Sequence, residues 1–189
     1  MPSEGFAIVT GMARVRWAVL GLYTGLLFLS IPYTRPVVVW ATEHLGQGAP
    51  VIAGLASLAP AGVALAVRLH GVGAAFPRPH LALAGIALAA LASWRLLASS
   101  PIALIHMPQY GVLALLAGRA FGGGTAASLG GGAAAAGIGL LDEIVQGATP
   151  GRVFDWWDVA LNAAASLLGA LTLAWWRWTG RGGTRCPGL

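Results

Sequence analysis

Long apolar stretches, separated by single charges or short polar turns, occupy most of the chain. Most are about 17–20 residues long, the length that a helix needs to cross a hydrocarbon core of about 30 Å. The third and fourth are separated only by Ser99–Pro101, which indicates a tight helical hairpin. The pattern predicts six spans, at Trp17–Ile31 with an extension through Pro32 and Pro36 towards Trp40, Val51–Val67, Leu81–Ala98, Ile102–Gly118, Thr125–Ile144 and Trp157–Trp176.

The spans are expected to be helices, because a segment surrounded by lipid has to satisfy its own backbone hydrogen bonds. A membrane β-barrel would require alternating polar and apolar residues, and these stretches are continuously apolar. Arg14 and Arg16 before the first span are also typical of a signal peptide. No small-x-small cleavage site follows, so a retained anchor is the preferred interpretation.

The composition supports a membrane protein. Apolar residues make up 57% of the chain and charged residues only 9%, whereas soluble domains contain about 25% charged residues. Too little polar material remains to cover the exterior of a soluble fold. We therefore expect an all-α fold, a polytopic transmembrane helical bundle in contact with membrane lipids.

The net charge of +5 comes entirely from arginines, since the chain has no lysine. The arginines occur singly between apolar runs and form no stripe or patch, which argues against nucleic-acid binding. Cys186 is the only cysteine, so an intrachain disulfide is excluded. The last four residues lack the aliphatic middle positions of a prenylation motif, and residues 179–189 are expected to form a disordered tail.

The positions of the arginines predict the orientation. With a cytoplasmic N-terminus, eight of the eleven arginines are cytoplasmic, Arg35 and Arg152 lie outside, and Arg95 lies in the outer part of the third span. The positive-inside rule favours this orientation, which places both termini inside. The chain then divides into a cytoplasmic N-terminus (1–16), three transmembrane helices (17–98), a core of helices four to six (99–178) and the tail (179–189).

Glycines thin the fifth span at positions Gly130, Gly131, Gly132, Gly137 and Gly139. Small residues spaced by four let helix backbones approach closely in a membrane, which predicts tight packing of this helix. Composition bias of a genome rich in G and C is the alternative explanation. A phosphate-binding loop is excluded, because the glycine-rich stretch lacks the Gly-Lys-Ser/Thr ending.

Polar residues gather at one predicted depth, in the outer third of the membrane or just above it. They recur at i, i+3 and i+4 on the fourth span and at i, i+3 and i+7 on the sixth, so each set shares one helix face. A charge inside a bilayer costs about 2.5 kcal/mol or more, which predicts an outward-opening polar pocket walled by the third to sixth helices. The candidate site residues are Arg95, His106, Gln109, Tyr110, Asp142, Glu143, Gln146, Arg152, Asp155, Asp158 and Asn162.

A structural interpretation of this candidate site stays open. The ionised groups would then form an ion-pair latch that only holds the helix ends together. Asp155 has the position of a helix N-cap, Asn162 that of an interhelical hydrogen-bond partner, and His106 that of an ordinary buried histidine. Tyr110, Trp156 and Trp157 would be anchors at the membrane interface.

The stretch Asp142–Gln146 (DEIVQ), Pro150–Arg152 (PGR), and then Asp155, Asp158 and Asn162 resembles the signature of the VanZ-like family. That family is named for a membrane protein associated with teicoplanin resistance. It also has a His and a Tyr at the head of the preceding helix, matched here by His106 and Tyr110. The resemblance covers roughly residues 100 to 172. The family commonly has Glu directly before the Tyr, where this chain has Gln109, which cannot act as a base.

The resemblance implies a multi-pass protein of the bacterial cytoplasmic (inner) membrane and an accessory to antibiotic resistance, but no reaction. The first hypothesis is a module that binds a lipid-linked or lipoglycopeptide ligand, with Arg95 and Arg152 holding its anionic groups. The second is an enzyme acting on a lipid-linked phosphate, with His106 and a carboxylate as general base or divalent-metal ligands. The third is a lipid or small-solute transporter gated by protonation of Asp142 or Glu143.

Binding ranks first among these hypotheses. The candidate site contains one histidine and no His/carboxylate pair at a known metal-ligand spacing, so no metal and no cofactor are predicted. A transporter needs a matching polar site near the cytoplasmic ends and often an internal repeat, and the sequence has neither.

Overall fold

The computed structural model describes residues 4–46, 48, 49, 52, 77–97, 103 and 105–182. These residues form helices and contain no strand, so the prediction of an all-helical fold is confirmed. Apart from Ile52, the predicted second span Val51–Val67 lies outside the described residues, as do the turn Ser99–Pro101 and most of the tail. The helices are α1 (Glu4–Leu45), α2 (Pro77–Leu97), α3 (His106–Ala120), α4 (Thr125–Ala148) and α5 (Trp156–Gly182).

Three of the described helices are long and apolar enough to cross a membrane, in the stretches Gly11–Leu45, Thr125–Ala148 and Trp156–Thr179. The apolar part of α2, Leu81–Leu97, is shorter. Helix α3 begins at His106 instead of Ile102, and its 15 residues give a length of about 22 Å. That is less than the roughly 30 Å of a hydrocarbon core, so the described residues supply three candidate spans where the sequence predicts five.

Helix α1 differs most from its predicted span. It begins at Glu4, inside the predicted N-terminal segment 1–16, and continues through Pro32 and Pro36 to Leu45. Proline is tolerated inside membrane helices because neighbouring groups and local adjustments satisfy the freed carbonyls. With 42 residues, α1 is about 63 Å long. At the other end of the chain, α5 extends to Gly182, so the first residues of the predicted tail are helical.

The centre of the molecule is a bundle of α3, α4 and α5. Each of the three helices packs against the other two. The interior between them is filled by small side chains and a few leucines, namely Leu113, Ala114, Ala117, Ala135, Leu161 and Ala165. Small residues at these positions let the helix backbones approach closely. Helices in lipid are held together by such van der Waals packing, because burying apolar surface gains little there.

Glycines allow the closest approaches in this bundle. A methyl group on Gly131 would collide with the backbone of Gly118 in α3, and one on Gly132 would meet Ala170 Cβ at 2.8 Å. A Cβ added to Gly139 would lie 2.7 Å from Asn162 Cβ. The predicted packing role is therefore confirmed for these three glycines. The packing prediction is wrong for Gly137, where an added Cβ would have no neighbour within 4 Å. Gly137 lies on the outer face of α4.

The two outer helices attach to the bundle on different sides. Helix α1 packs along α3, with Leu20 in the buried core and Tyr23 and Leu27 against it, and α2 packs on α5. Most other side chains of α1 between 11 and 45 are exposed, many of them large and apolar. Such a surface is unfavourable in water and suits a helix that faces lipid.

Arg177 ties the end of the bundle where α3 connects to α4. Its guanidinium donates to the carbonyl oxygens of Gly118, Gly122 and Gly124 at 2.7–2.9 Å and to Ser128 Oγ at 2.7 Å. Gly122 and Gly124 have φ values of +108° and +96°, which only glycine adopts readily. The planar guanidinium thereby satisfies carbonyls that the helix end leaves without partners.

Candidate functional site

The last turns of α4 carry three buried polar side chains, Asp142, Glu143 and Gln146. The Gln146 amide donates to Asp142 Oδ2 at 2.9 Å and to Glu143 Oε1 at 3.0 Å. This is the bonding that the spacing i+3 and i+4 on one helix allows. Glu143 has no exposed surface at all. Two adjacent carboxylates are thus held inside the bundle by one amide.

Helix α3 faces these carboxylates with Tyr110 and His106. The Tyr110 hydroxyl donates to Asp142 Oδ2 at 2.6 Å, and both groups are buried. The His106 ring lies parallel to the Tyr110 ring, with centroids 6.0 Å apart. Because the two residues are one turn apart, α3 presents both rings to the same part of α4.

The connection between α4 and α5 covers this region. Gly151 has a φ of +76°, the left-handed conformation that glycine permits, and the turn then places Arg152 back over α4. The Arg152 guanidinium donates to the side-chain amide oxygen of Gln146 and not to a carboxylate. The backbone N–H of Asp155 donates to Glu143 Oε2 at 3.3 Å. Both ends of the connection are therefore fixed to the acidic turn of α4.

Helix α5 completes the site. The Asp155 side chain accepts from the backbone N–H of Trp157 at 2.8 Å. Asp155 therefore caps the N-terminus of α5, as the structural interpretation of the sequence predicts. Asp158 lies one turn further, with Oδ2 3.8 Å from His106 Nε2. Asn162 is fully buried and donates to the Gly139 carbonyl at 3.2 Å. Asn162 is thus an interhelical hydrogen-bond partner.

Seven residues form one contiguous group, called here the polar cluster: His106, Tyr110, Asp142, Glu143, Gln146, Arg152 and Asp158. Three of them, His106, Asp142 and Glu143, each offer one donor atom within 4.8 Å of the others, which is a set that could hold a metal ion. The sequence placed all seven at one depth, and the structure brings them together.

Four of the eleven predicted site residues lie outside the polar cluster: Asp155 and Asn162, whose contacts are given above, and Arg95 and Gln109. Arg95 is exposed near the end of α2, where its guanidinium carbon lies 5.8 Å from the centre of the Trp94 ring. It forms no ion pair with a carboxylate of the described residues. Gln109 is half-buried and lines a cavity beside the cluster, and its backbone carbonyl accepts from Tyr23 at 3.1 Å. Trp156 and Trp157 are exposed, as expected for interface anchors.

A small cavity of about 20 Å³ lies between α1 and the polar cluster. This is room for about one water molecule. The sequence predicts a pocket walled by the third to sixth helices, and that prediction is wrong for this cavity, because α1 supplies one wall. Its lining is Leu27, Ser30, Ile31, Thr34, Ile105, His106, Gln109, Asp142, Gln146 and Arg152.

A larger groove of about 620 Å³ opens beside the cavity, between the second half of α1 and the α4–α5 connection. Arg35 of α1 crosses it and donates to the Gly151 carbonyl oxygen. Arg152 lines both the groove and the small cavity. The groove is lined by Pro32, Arg35, Pro36, Val39, Trp40, Glu43, Thr149, Pro150, Gly151 and Arg152.

Helix α1 contributes to the site, although none of its residues is among the candidates predicted from the sequence. A signal for it exists, since Tyr23, Leu27, Ser30 and Thr34 follow the spacing i, i+4, i+7 and i+11 and therefore lie on one helix face. Arg35 is a single charge in an apolar run, and an ionisable residue in such a position is by default a functional candidate.

The chain matches no family model, and no curated protein or solved structure is significantly similar to it. The resemblance to the VanZ-like family therefore stays a prediction that rests on the residues of the motif.

Proposed function

We propose that this chain is a VanZ-like membrane protein whose groove binds the anionic group of a lipid-linked or lipoglycopeptide ligand at the outer leaflet, as an accessory to glycopeptide resistance. The observation that carries the proposal is the groove of about 620 Å³, in which Arg35 and Arg152 both lie. Ligand sites commonly have volumes of about 300–1,000 Å³.

The lining of the groove has the mixed chemistry that such a ligand requires. A guanidinium presents five N–H donors, and Arg35 and Arg152 each have one described hydrogen bond, to Gly151 and Gln146. The remaining donors suit a phosphate or carboxylate, which arginine binds in a bidentate manner. Val39 and Trp40 continue the surface along α1 and suit an acyl or prenyl chain.

The buried polar cluster supports the groove rather than receiving a large ligand itself. The cavity beside it has room for about one water molecule, far less than a lipid head group needs. Gln146 holds Arg152 and is itself fixed by Asp142 and Glu143. This chain of hydrogen bonds holds Arg152 in position at the groove. The acidic residues therefore accompany a site for an anion because they fix the amide that fixes the arginine.

The proposal includes a topology. Six spans with both termini in the cytoplasm place Arg35 and Arg152 on the outer face of a bacterial cytoplasmic membrane, where lipid-linked envelope precursors and glycopeptides are met. The clustering of most arginines on the opposite side supports this orientation through the positive-inside rule.

The test compares wild type with Arg35→Ala and Arg152→Ala in a glycopeptide-sensitive host at equal membrane levels. We expect wild type to raise resistance to teicoplanin more than to vancomycin, and both variants to lose that protection. In lipid nanodiscs, binding of teicoplanin or of a polyprenyl phosphate should weaken about 10-fold to 100-fold in each variant, because a charge-assisted hydrogen bond contributes about 1.5–3 kcal/mol.

Arg95→Ala is the matched control, since it removes an exposed arginine that makes no ion pair with the described acidic residues. The proposal is wrong if neither ligand binds wild type, or if the two groove variants bind and protect as wild type does. Turnover of the polyprenyl phosphate, abolished by His106→Gln, would instead support the second candidate, a membrane enzyme. The donor set of His106, Asp142 and Glu143 is the observation that favours that candidate.

A further inference from the structure

The polar cluster contains more negative than positive charge. Asp142, Glu143 and Asp158 are three carboxylates, and Arg152 is the one guanidinium among the seven members. Arg152 donates to an amide oxygen and not to a carboxylate. With the carboxylates ionised, the cluster therefore lacks two positive charges. Buried charges are normally paired or coordinate a metal, because an isolated charge in a medium of low polarity is very unfavourable.

Unpartnered atoms point to the same deficit. Three buried side-chain atoms of the described residues have no hydrogen-bond partner: His106 Nδ1, Asp158 Oδ1 and Asn162 Oδ1. All three carry a lone pair when the histidine is in the corresponding tautomer. His106 is only 7% exposed and lines the small cavity together with Asp142. A buried site with spare lone pairs and no spare protons is suited to a cation.

The orientation of His106 selects one of its nitrogens. Nε2 lies 3.8 Å from Asp158 Oδ2. A histidine that binds a metal almost always turns its other ring N–H to a carboxylate or carbonyl, which fixes the tautomer. Asp158 Oδ2 faces Nε2 but at 3.8 Å lies beyond hydrogen-bond distance, whereas Nδ1 is the ring nitrogen without a partner.

The carboxylates also retain donor capacity. Both described hydrogen bonds to Asp142 end on Oδ2, so its Oδ1 keeps its lone pairs. Each Glu143 oxygen accepts one hydrogen bond, from Gln146 or from the Asp155 backbone, and a carboxylate oxygen has room for another partner. The existing bonds hold the carboxylates in place without using all of their lone pairs.

We propose that His106, Asp142 and Glu143 form a binding site for one divalent transition-metal ion, with zinc as the best match. One ligand atom from each residue, a ring nitrogen of His106 and one oxygen of each carboxylate, lies within 4.8 Å of the other two. In a tetrahedral zinc site with bond lengths of about 2.0–2.2 Å, two ligand atoms lie about 3.3–3.6 Å apart. Side-chain rotations that shorten these distances by about 1 Å bring the three donors onto one ion, and a water molecule completes the tetrahedron. The site is independent of what the groove binds.

Zinc fits the donor set better than calcium or magnesium does. One imidazole nitrogen with two carboxylates is a ligand combination used by zinc, whereas calcium and magnesium bind oxygen donors in larger numbers. The bundle is also too tightly packed for a shell of six or more ligands, since Gly139 allows Tyr110 and Asn162 to approach within about 3 Å of its Cβ position.

The experiment measures Zn²⁺ binding to the full chain, purified in detergent through a tag without histidine, by calorimetry and elemental analysis. We expect one Zn²⁺ per chain with micromolar or tighter affinity. His106→Gln and Asp142→Asn should weaken binding at least tenfold. His44→Gln is the matched control and should bind as wild type, because His44 is an exposed histidine on α1.

X-ray absorption at the zinc edge of the wild-type protein provides a measurement that does not depend on variant folding. We expect nitrogen and oxygen ligands at about 2.0–2.2 Å with one imidazole, and no sulfur at about 2.3 Å. Absence of saturable Zn²⁺ binding would overturn the proposal, as would a zinc–sulfur distance, which would assign the metal to Cys186. Wild-type affinity in a folded Asp142→Asn variant would also overturn it.

Discussion

Tyr110 shows how a single side chain joins two helices of this protein. Its ring packs in the core with Leu113, and its hydroxyl reaches Asp142 on α4 at 2.6 Å. Tyrosine supplies apolar area and a polar end in one residue, which suits a position between a dry bundle and a polar cluster. The sequence marks it as an interface anchor or a site residue, and its burial is incompatible with an anchor at the membrane interface.

Tyr110→Phe is expected to lower the free energy of unfolding by about 1–2 kcal/mol, because it leaves an Asp142 oxygen without one of its donors. Tyr33→Phe is the control and should have no measurable effect, since Tyr33 is 68% exposed on α1. Unfolding in detergent titrated with a denaturing surfactant measures both. Equal stabilities of the two variants would mean that the hydrogen bond to Asp142 contributes nothing.

At the scale of the helices, contact between glycine backbones determines the geometry of the bundle. Gly131 of α4 lies directly against Gly118 of α3, and Gly169 of α5 lies against Gly111 of α3. No side chain separates the helices at these points, so their approach is fixed by the backbone itself. The polar cluster lies beyond these contacts, and its distances depend on them.

Gly131→Ala is therefore expected to destabilise the protein by about 1–3 kcal/mol, the usual effect of overpacking, because its methyl group would meet the rigid backbone of α3. Gly137→Ala on the same helix has open space around it. It should be neutral or stabilise by up to about 1 kcal/mol, since alanine loses less backbone entropy in a helix. Thermal unfolding in the same detergent separates the two. A similar loss in both would show that helix propensity, and not contact, governs α4.

At the scale of the whole molecule, the two ends of the bundle are built differently. One end carries Arg177 bound to the α3–α4 connection, and the other carries the polar cluster under the α4–α5 connection. The Arg177 guanidinium makes four hydrogen bonds to the α3–α4 connection and the start of α4, which is a structural role. The two arginines at the groove keep spare donors, which is why the groove end is the proposed functional end.

Site-specific labelling tests the proposed orientation. Cys186 is the single native cysteine, and it should react with a membrane-impermeant maleimide only after spheroplasts are permeabilised. Val153→Cys in a Cys186→Ser background should react in intact spheroplasts, because Val153 is 80% exposed in the α4–α5 connection. The reverse pattern would place the groove in the cytoplasm and remove the proposed outer-leaflet ligand.

The sequence by itself determined the helical class and included all seven members of the polar cluster among its eleven candidate residues. Continuous apolar runs leave helix as the state that satisfies the backbone in lipid, and the spacing of His106, Tyr110, Asp142 and Gln146 places these residues on helix faces. Charges that cannot be left alone in an apolar bundle have to meet, so grouping follows from burial. Arg95 is exposed, so burial does not force it to meet the other charges, and it lies apart from the polar cluster.

The tertiary structure alone decided which helices contact the cluster and which arginine serves which role. Helix periodicity identifies a buried face but not the helix that packs against it. The sequence therefore could not place α1 beside α3 or predict the groove at Arg35. Arg177 and Arg152 have the same side chain and differ only in the acceptors that surround them. Those acceptors come from residues distant in sequence, and packing of glycine against glycine brings them within reach.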